Sequence, residues 1–164
     1  MTQLNALRGI GDKTAKLYGK LGIDTVESAV FYFPKDYIQY EPLSSPENFK
    51  TDVMISFEGV IVKRPLVRHV KKLSITTVTI ACGNTGISAT WFNMPYLSQS
   101  LKPGSSYIFR GKLSVKGDHY HIDQPQIFTT EHYEELLGRI NPVYSLTKGL
   151  TNNAVTTTIK KAFD

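Results

Sequence analysis

Apolar residues recur at two different periods along the chain, and the change falls near residue 50. From Leu4 to about Phe33 the spacing is helical. Leu4, Leu7 and Ile10 lead into Gly9-Ile10-Gly11, after which Ala15, Leu17, Tyr18, Leu21 and Ile23 recur near helical spacing. Gly22 is placed to stop that helix, Thr25 to cap the next one, and Pro34 to end the pattern at Phe33. The Ser- and Pro-containing stretch from Glu41 to Glu47 reads as a connector.

From Val53 onward the period becomes two. Val53, Ile55, Phe57 and Ile61 alternate with more polar neighbours, and Leu73 to Cys82, Ile87 to Asn93, Tyr107 to Val115 and His119 to Phe128 continue as strand-like runs. Between the third and fourth runs, Tyr96 to Leu101 has room for one or two helical turns before Lys102-Pro103-Gly104. Three strands, a short helix and two more strands are the order of an oligonucleotide-binding (OB) barrel. A last helix is expected from Thr151 or Asn152 onward. The expected fold class is therefore α+β. A helical, helix-hairpin-helix-like subdomain covers 1–40, a five-stranded antiparallel OB barrel 50–130, and a linker with a C-terminal helix 131–164.

The composition, 41% hydrophobic and 20% charged over 164 residues, belongs to an ordinary globular chain. Charge is more informative by position than in total. Residues 1–52 carry a balance of −1, residues 53–128 of +6 and residues 129–164 of 0, so the net +5 resides in the barrel region. A basic middle with neutral flanks suits a polyanion, and nucleic acid is the commonest one. The lone Cys82 excludes an internal disulfide. There is no apolar run of about 18 residues and no signal-peptide pattern near the start, so a cytoplasmic protein without membrane contact is expected.

Within the basic region, Trp91-Phe92-Asn93-Met94-Pro95-Tyr96 carries the most chemistry. Strand alternation puts Trp91 on the face of Ile87 and Ala89, toward the core, and Phe92 on the face of Ser88 and Thr90, toward water. Phe92 and Tyr96 are then candidates for stacking on unpaired bases; burial in a second core is the competing reading. The first inter-strand loop, residues 63–72, holds five cations: Lys63, Arg64, Arg68, Lys71 and Lys72. With Lys116 in the turn before the last strand they are candidates for phosphate contact, because uncompensated like charges repel one another until an anion relieves them. Gly9, Gly11 and Lys13 form a further candidate, a hairpin whose backbone N–H groups could accept a phosphate.

Other chemistries find little support. His119 and His121 share a strand face, but no third ligand stands at metal-binding spacing. No nucleophile lies in a Gly-x-Ser-x-Gly setting, and no Gly-x-x-x-x-Gly-Lys-Ser/Thr phosphate loop occurs. No catalytic residue and no cofactor of its own are expected for this chain.

Three short motifs near the start carry a family resemblance: Leu7-Arg8-Gly9-Ile10-Gly11 with Ala15 and Leu17, Leu21 to Val26, and Tyr32-Phe33-Pro34-Lys35-Asp36-Tyr37. Trp91-Phe92-Asn93 with Tyr96-Leu97, Gly111-Lys112, and Ile140 to Thr151 continue it in order. Together they resemble the N-terminal wedge region of the RecG family of ATP-dependent DNA helicases. Two positions depart from that family's pattern: Asp36 stands where a second basic residue is common, and Ser145 where proline is. The resemblance implies binding of branched or forked DNA, with aromatics at the positions of Phe92 and Tyr96 stacking on bases that open at the fork. It also implies C-terminal motor domains in the same polypeptide, which would hold ATP and magnesium. A different reading of the same basic barrel is a protein-interaction module that receives an acidic peptide tail, such as that of a single-strand-binding protein.

Overall fold

Alternating burial along the middle of the chain rolls its strands into a ring. In the computed structural model, which describes residues 1–164, two units separate: Met1–Gln39 with Gly138–Asp164, and Tyr40–Leu137. The second unit holds strands β2 (Met54–Ile61), β3 (Leu66–Val70), β4 (Leu73–Cys82), β5 (Thr85–Phe92), β6 (Ser106–Lys116), β7 (His119–Asp123) and β8 (Gln126–Phe128), with helices α3 (Leu97–Ser100) and α4 (Thr130–Leu136). The ring closes in the order β2-β4-β5-β7-β6 and back to β2, while β3 pairs with β4 and β8 with β6. This is the expected OB-like barrel.

The expectation of an antiparallel barrel is corrected: β5 and β7 run parallel, and the other barrel pairings are antiparallel. Geometry requires the exception. Directions can alternate around a closed ring only if it has an even number of members, so a five-membered ring must contain a parallel neighbour pair. Parallel neighbours need a crossover connection, and the chain supplies one through α3 and β6.

Inside the ring, Ile55, Phe57, Ile61, Val78, Ile80, Ile87, Ala89, Trp91, Phe109, Leu113 and Ile122 form one core. Trp91 is buried as expected, and its indole N–H donates to the Pro125 carbonyl at 3.0 Å. Burial raises the thiol pKa of Cys82 inside this core, which keeps it in the unreactive protonated form. Gly59 sits where a β-carbon would overlap the Ile80 side chain. Gly59→Ala should therefore destabilise the barrel by about 1–3 kcal/mol through overpacking, read as a lower urea midpoint with an unchanged slope.

A polar brace closes the outside of the ring. Arg110 meets the Glu41 carboxylate through Nε (2.9 Å to Oε2) and Nη2 (2.9 Å to Oε1). Ser56 donates to the same carboxylate at 3.0 Å, and the Tyr133 hydroxyl donates to the Glu41 carbonyl at 2.6 Å and lies 2.8 Å from Ser56 Oγ. Burial pulls the Glu41 carboxyl pKa upward, but the hydrogen bonds from Arg110 and Ser56 outweigh it and hold it below the ordinary value. Arg110 also lies over the Tyr40 ring, and Tyr40, Phe128 and Tyr133 pack edge to face.

The first unit contains α1 (Asp12–Gly19), α2 (Val26–Val30), α5 (Asn152–Phe163) and a two-stranded sheet of β1 (Asp36–Ile38) with β9 (Asn141–Val143). Thr25 caps α2 in a reciprocal capping box with Ser28, and Thr151 caps α5. The helix-hairpin-helix expectation is not met as drawn, since the limb before Gly9 is a 3-10 turn of three residues, Leu4–Ala6. Residues 131–164 do not behave as one linker either. Those up to Leu137 belong with the barrel, whereas α5 packs with the N-terminal helices around Leu4, Ile10, Tyr18, Ile23, Ala29, Val155 and Ile159. The Tyr18 hydroxyl reaches Thr158 Oγ1 at 2.7 Å within that core.

Candidate nucleic-acid interface

Strand pairing places two of the candidates, Phe92 and Arg68, on one surface. Directly opposed residues in an antiparallel pair share a face. Arg68 opposes Ile75, and Ile75 opposes Phe92, which makes a row of three across β3, β4 and β5. At about 4.8 Å per strand, Arg68 stands roughly 10 Å from Phe92 across the sheet. The next row is Leu66, Thr77, Thr90 and Asp123. Phe92 is half-buried, Arg68 is exposed, and Leu66 and Val70 are 61% and 51% exposed on the same face. Phe92 is thus neither enclosed in the core nor fully free of the sheet.

Asn93 ends β5 in a left-handed conformation, φ +56°, and is clasped by β4: its N–H donates to the Ser74 carbonyl at 2.8 Å. Ser74 N–H returns a bond to Asn93 Oδ1 at 3.3 Å. The chain then turns into α3, whose Leu97 is buried, while Tyr96 at the helix start is 58% exposed. Thr76 fixes the turn by donating to the Met94 carbonyl at 3.2 Å. Neither ring, Phe92 or Tyr96, is sealed in a core.

The cationic loop is more ordered than a loop. Leu66–Val70 is a strand, and Lys71-Lys72 is the two-residue turn of a hairpin into β4, since Val70 opposes Leu73. Lys71 adopts φ +56°, a left-handed backbone that is uncommon for a residue with a β-carbon. Lys63, Arg64, Arg68, Lys71 and Lys72 are all exposed, and none takes part in the chain's ion pairs. Lys116 is placed elsewhere. It opposes His119 at the end of the sheet where β5 passes Ile87, roughly 17 Å along the strand from Phe92.

The Gly9, Gly11 and Lys13 group lies in the other unit. Gly9 has φ +91°, and Gly11 precedes α1 with no side-chain cap. Asp12 occupies the first helical position, where it accepts from Asn5 Nδ2 at 3.0 Å, and Lys161 donates to the Arg8 carbonyl at 2.8 Å. A carboxylate at that position satisfies the helix dipole internally and repels an incoming phosphate.

The family model of the RecG wedge domain matches residues 3–164. The chain belongs to the RecG wedge-domain family. ATP-dependent DNA helicase RecG of Bacillus subtilis is 32% identical over 151 residues, 92% of this chain and 21% of that protein. RecG of Thermotoga maritima is 26% identical over 154 residues, 92% of this chain and 19% of that protein. A solved structure of RecG bound to a three-way DNA junction superposes with a TM-score of 0.79 at 23% identity, covering 97% of this chain and 22% of that one. This wedge domain thus spans about a fifth of the length of its relatives.

Sequence reasoning about this wedge missed Leu66, Ile75 and Val70 as parts of the exposed face. The signal was present, because Leu66, Arg68 and Val70 alternate with period two. Two cations before that short run, Lys63 and Arg64, and two after it, Lys71 and Lys72, made it read as a loop.

Proposed function

We propose that this chain is the fork-binding wedge of a RecG-like ATP-dependent DNA helicase. It would hold branched DNA, such as stalled replication forks and Holliday junctions in repair and recombination, while motor domains of the same polypeptide draw the duplex past it. The row Arg68, Ile75 and Phe92 beside the Lys71-Lys72 turn carries this reading. It sets an open ring next to unpaired cations, and a fork presents an unstacked base next to phosphates.

The energetics are of the right order. Parting one base-pair step costs about 1.4 kcal/mol of stacking on average. Stacking a base on an aromatic side chain returns about 1–3 kcal/mol. The wedge can offset the local opening, and direction comes from ATP turnover with magnesium in the motor domains. The Gly-x-x-x-x-Gly-Lys-Ser/Thr phosphate loop does not occur in this sequence.

The reading is tested by titrating a fork and a blunt duplex of equal length over a range of salt. The wild-type chain should prefer the fork, and equal affinity for the two would overturn the wedge reading. Replacing Lys71 and Lys72 by glutamine should weaken binding to both DNAs and flatten the plot of log K against log salt. The change expected is about 0.9 per lost duplex phosphate contact. An unchanged slope would remove the turn from the contact surface.

A further inference from the structure

Beside Tyr96, away from the cationic hairpin, a cavity of about 450 Å³ opens between α3 and the β7–β8 connection. Its walls are Trp91, Met94, Leu97, Pro125 and Ile127, with Tyr96, Gln124 and Gln126 also lining it. That volume lies in the range of small-molecule sites, about 300–1,000 Å³, and an apolar lining with a few polar groups is their usual make-up.

The connection that forms one wall is rigid and strained. Gln124 has φ +47° and donates its N–H to the Thr90 carbonyl at 2.7 Å, and the Pro125 carbonyl accepts from the Trp91 indole at 3.0 Å. Gln124 projects an exposed amide with no partner in the chain. Gln126 commits its Oε1 to Arg110 at 3.0 Å, which leaves its amide hydrogens available. A neighbouring groove of about 370 Å³ shares Gln124 and Gln126, and there Asp52 and Asp123 stand with Lys112 and Arg110. Arg110 is already paired with Glu41. With Arg110 taken up by Glu41, Asp52 and Asp123 face Lys112 alone, and this excess of negative charge gives a phosphate no advantage there, unlike the uncompensated hairpin.

We infer that the cavity takes one neutral nucleobase, extruded from a strand that has passed Tyr96, with its edge hydrogen-bonded by the Gln124 and Gln126 amides. The inference rests on the wedge reading above. Phe92 and the hairpin would then hold a base and phosphates on one side of the Asn93 turn, and the cavity a second base on the other.

The test uses forks carrying a single abasic site, moved one position at a time along the unpaired arms. With the wild-type chain, two positions should each lose roughly tenfold in affinity, the order supplied by one stacked base: one whose effect disappears in Phe92→Ala, and a second, the cavity position, whose effect does not. Met94→Ala with Ile127→Ala should bind the intact fork as weakly as the abasic one at that position. Gln124→Gly removes the amide while suiting the left-handed backbone, and should cut the same positional effect without loss of folding. If the loss at the cavity position is equally large in the cavity variants, or absent while the wild type still prefers forks, the cavity proposal is overturned and the wedge reading stands. If the wild type does not prefer forks, the wedge reading fails first.

Discussion

Phe92→Ala should weaken binding to a forked duplex by roughly five- to a hundredfold, equivalent to about 1–3 kcal/mol for one stacked base, with affinity for blunt duplex nearly unchanged. The separation follows from position. Phe92 is half-buried opposite Ile75, so on the proposed reading its loss removes a surface that an unpaired base would use and a paired one would not. Tyr96→Ala should act in the same direction with an equal or smaller effect, because Tyr96 stands on a turn rather than within a strand. Fluorescence anisotropy with labelled fork and duplex reads both. Equal losses on the two substrates, or no loss on either, would count against stacking.

Glu41→Ala should destabilise the barrel by about 2–4 kcal/mol. Removing one partner of a largely buried ion pair strands the other, and here Ser56 also loses its carboxylate acceptor, whereas Tyr133 keeps the Glu41 backbone carbonyl. The partial exposure of the Glu41 side chain, 28%, keeps the figure below that for a fully buried pair. Urea unfolding followed by Trp91 fluorescence reports on this unit directly, since the chain has one tryptophan and it lies in the barrel core. The pH dependence has a fixed sign. The folded-state pKa of Glu41 is depressed, so its stabilisation is complete above the ordinary carboxylate value of 4.5 and disappears as pH falls through the lower folded value. The wild type should therefore lose more stability than Glu41→Ala on going from neutral pH to below that range. Parallel losses would show that the carboxylate is not held by Arg110 in solution.

Much of the barrel was legible because burial alternates cleanly along it. The runs from Leu73, Ile87 and Tyr107 fall on β4, β5 and β6, and the Tyr96–Leu101 turn falls on α3. The run from His119 to Phe128 is two strands because Gln124 turns left-handed and Pro125 has no N–H to donate. Period counting is blind to such a break when apolar residues continue on both sides of it. It is also blind to partners far apart in sequence: Tyr18 bonds Thr158 across 140 residues, and no local pattern announces that pairing. The mixed direction of the barrel needed no coordinates at all, only the parity of five strands. For the candidate site, alternation sufficed to turn Phe92 outward, whereas the grouping of Arg68, Lys71 and Lys72 with it, and the distance of Lys116 from it, depend on strand register.

Residues 1–39 and 138–164 fold together, and the barrel is an insertion between them whose entry and exit are joined by the Tyr40–Leu137 bridge. A mechanical load entering through α5 would pass into the helices around Tyr18 and not along the inserted strands. On the proposed reading, a ring inserted in this way is a side branch of the chain, and its strand ladder would not have to bear such a load.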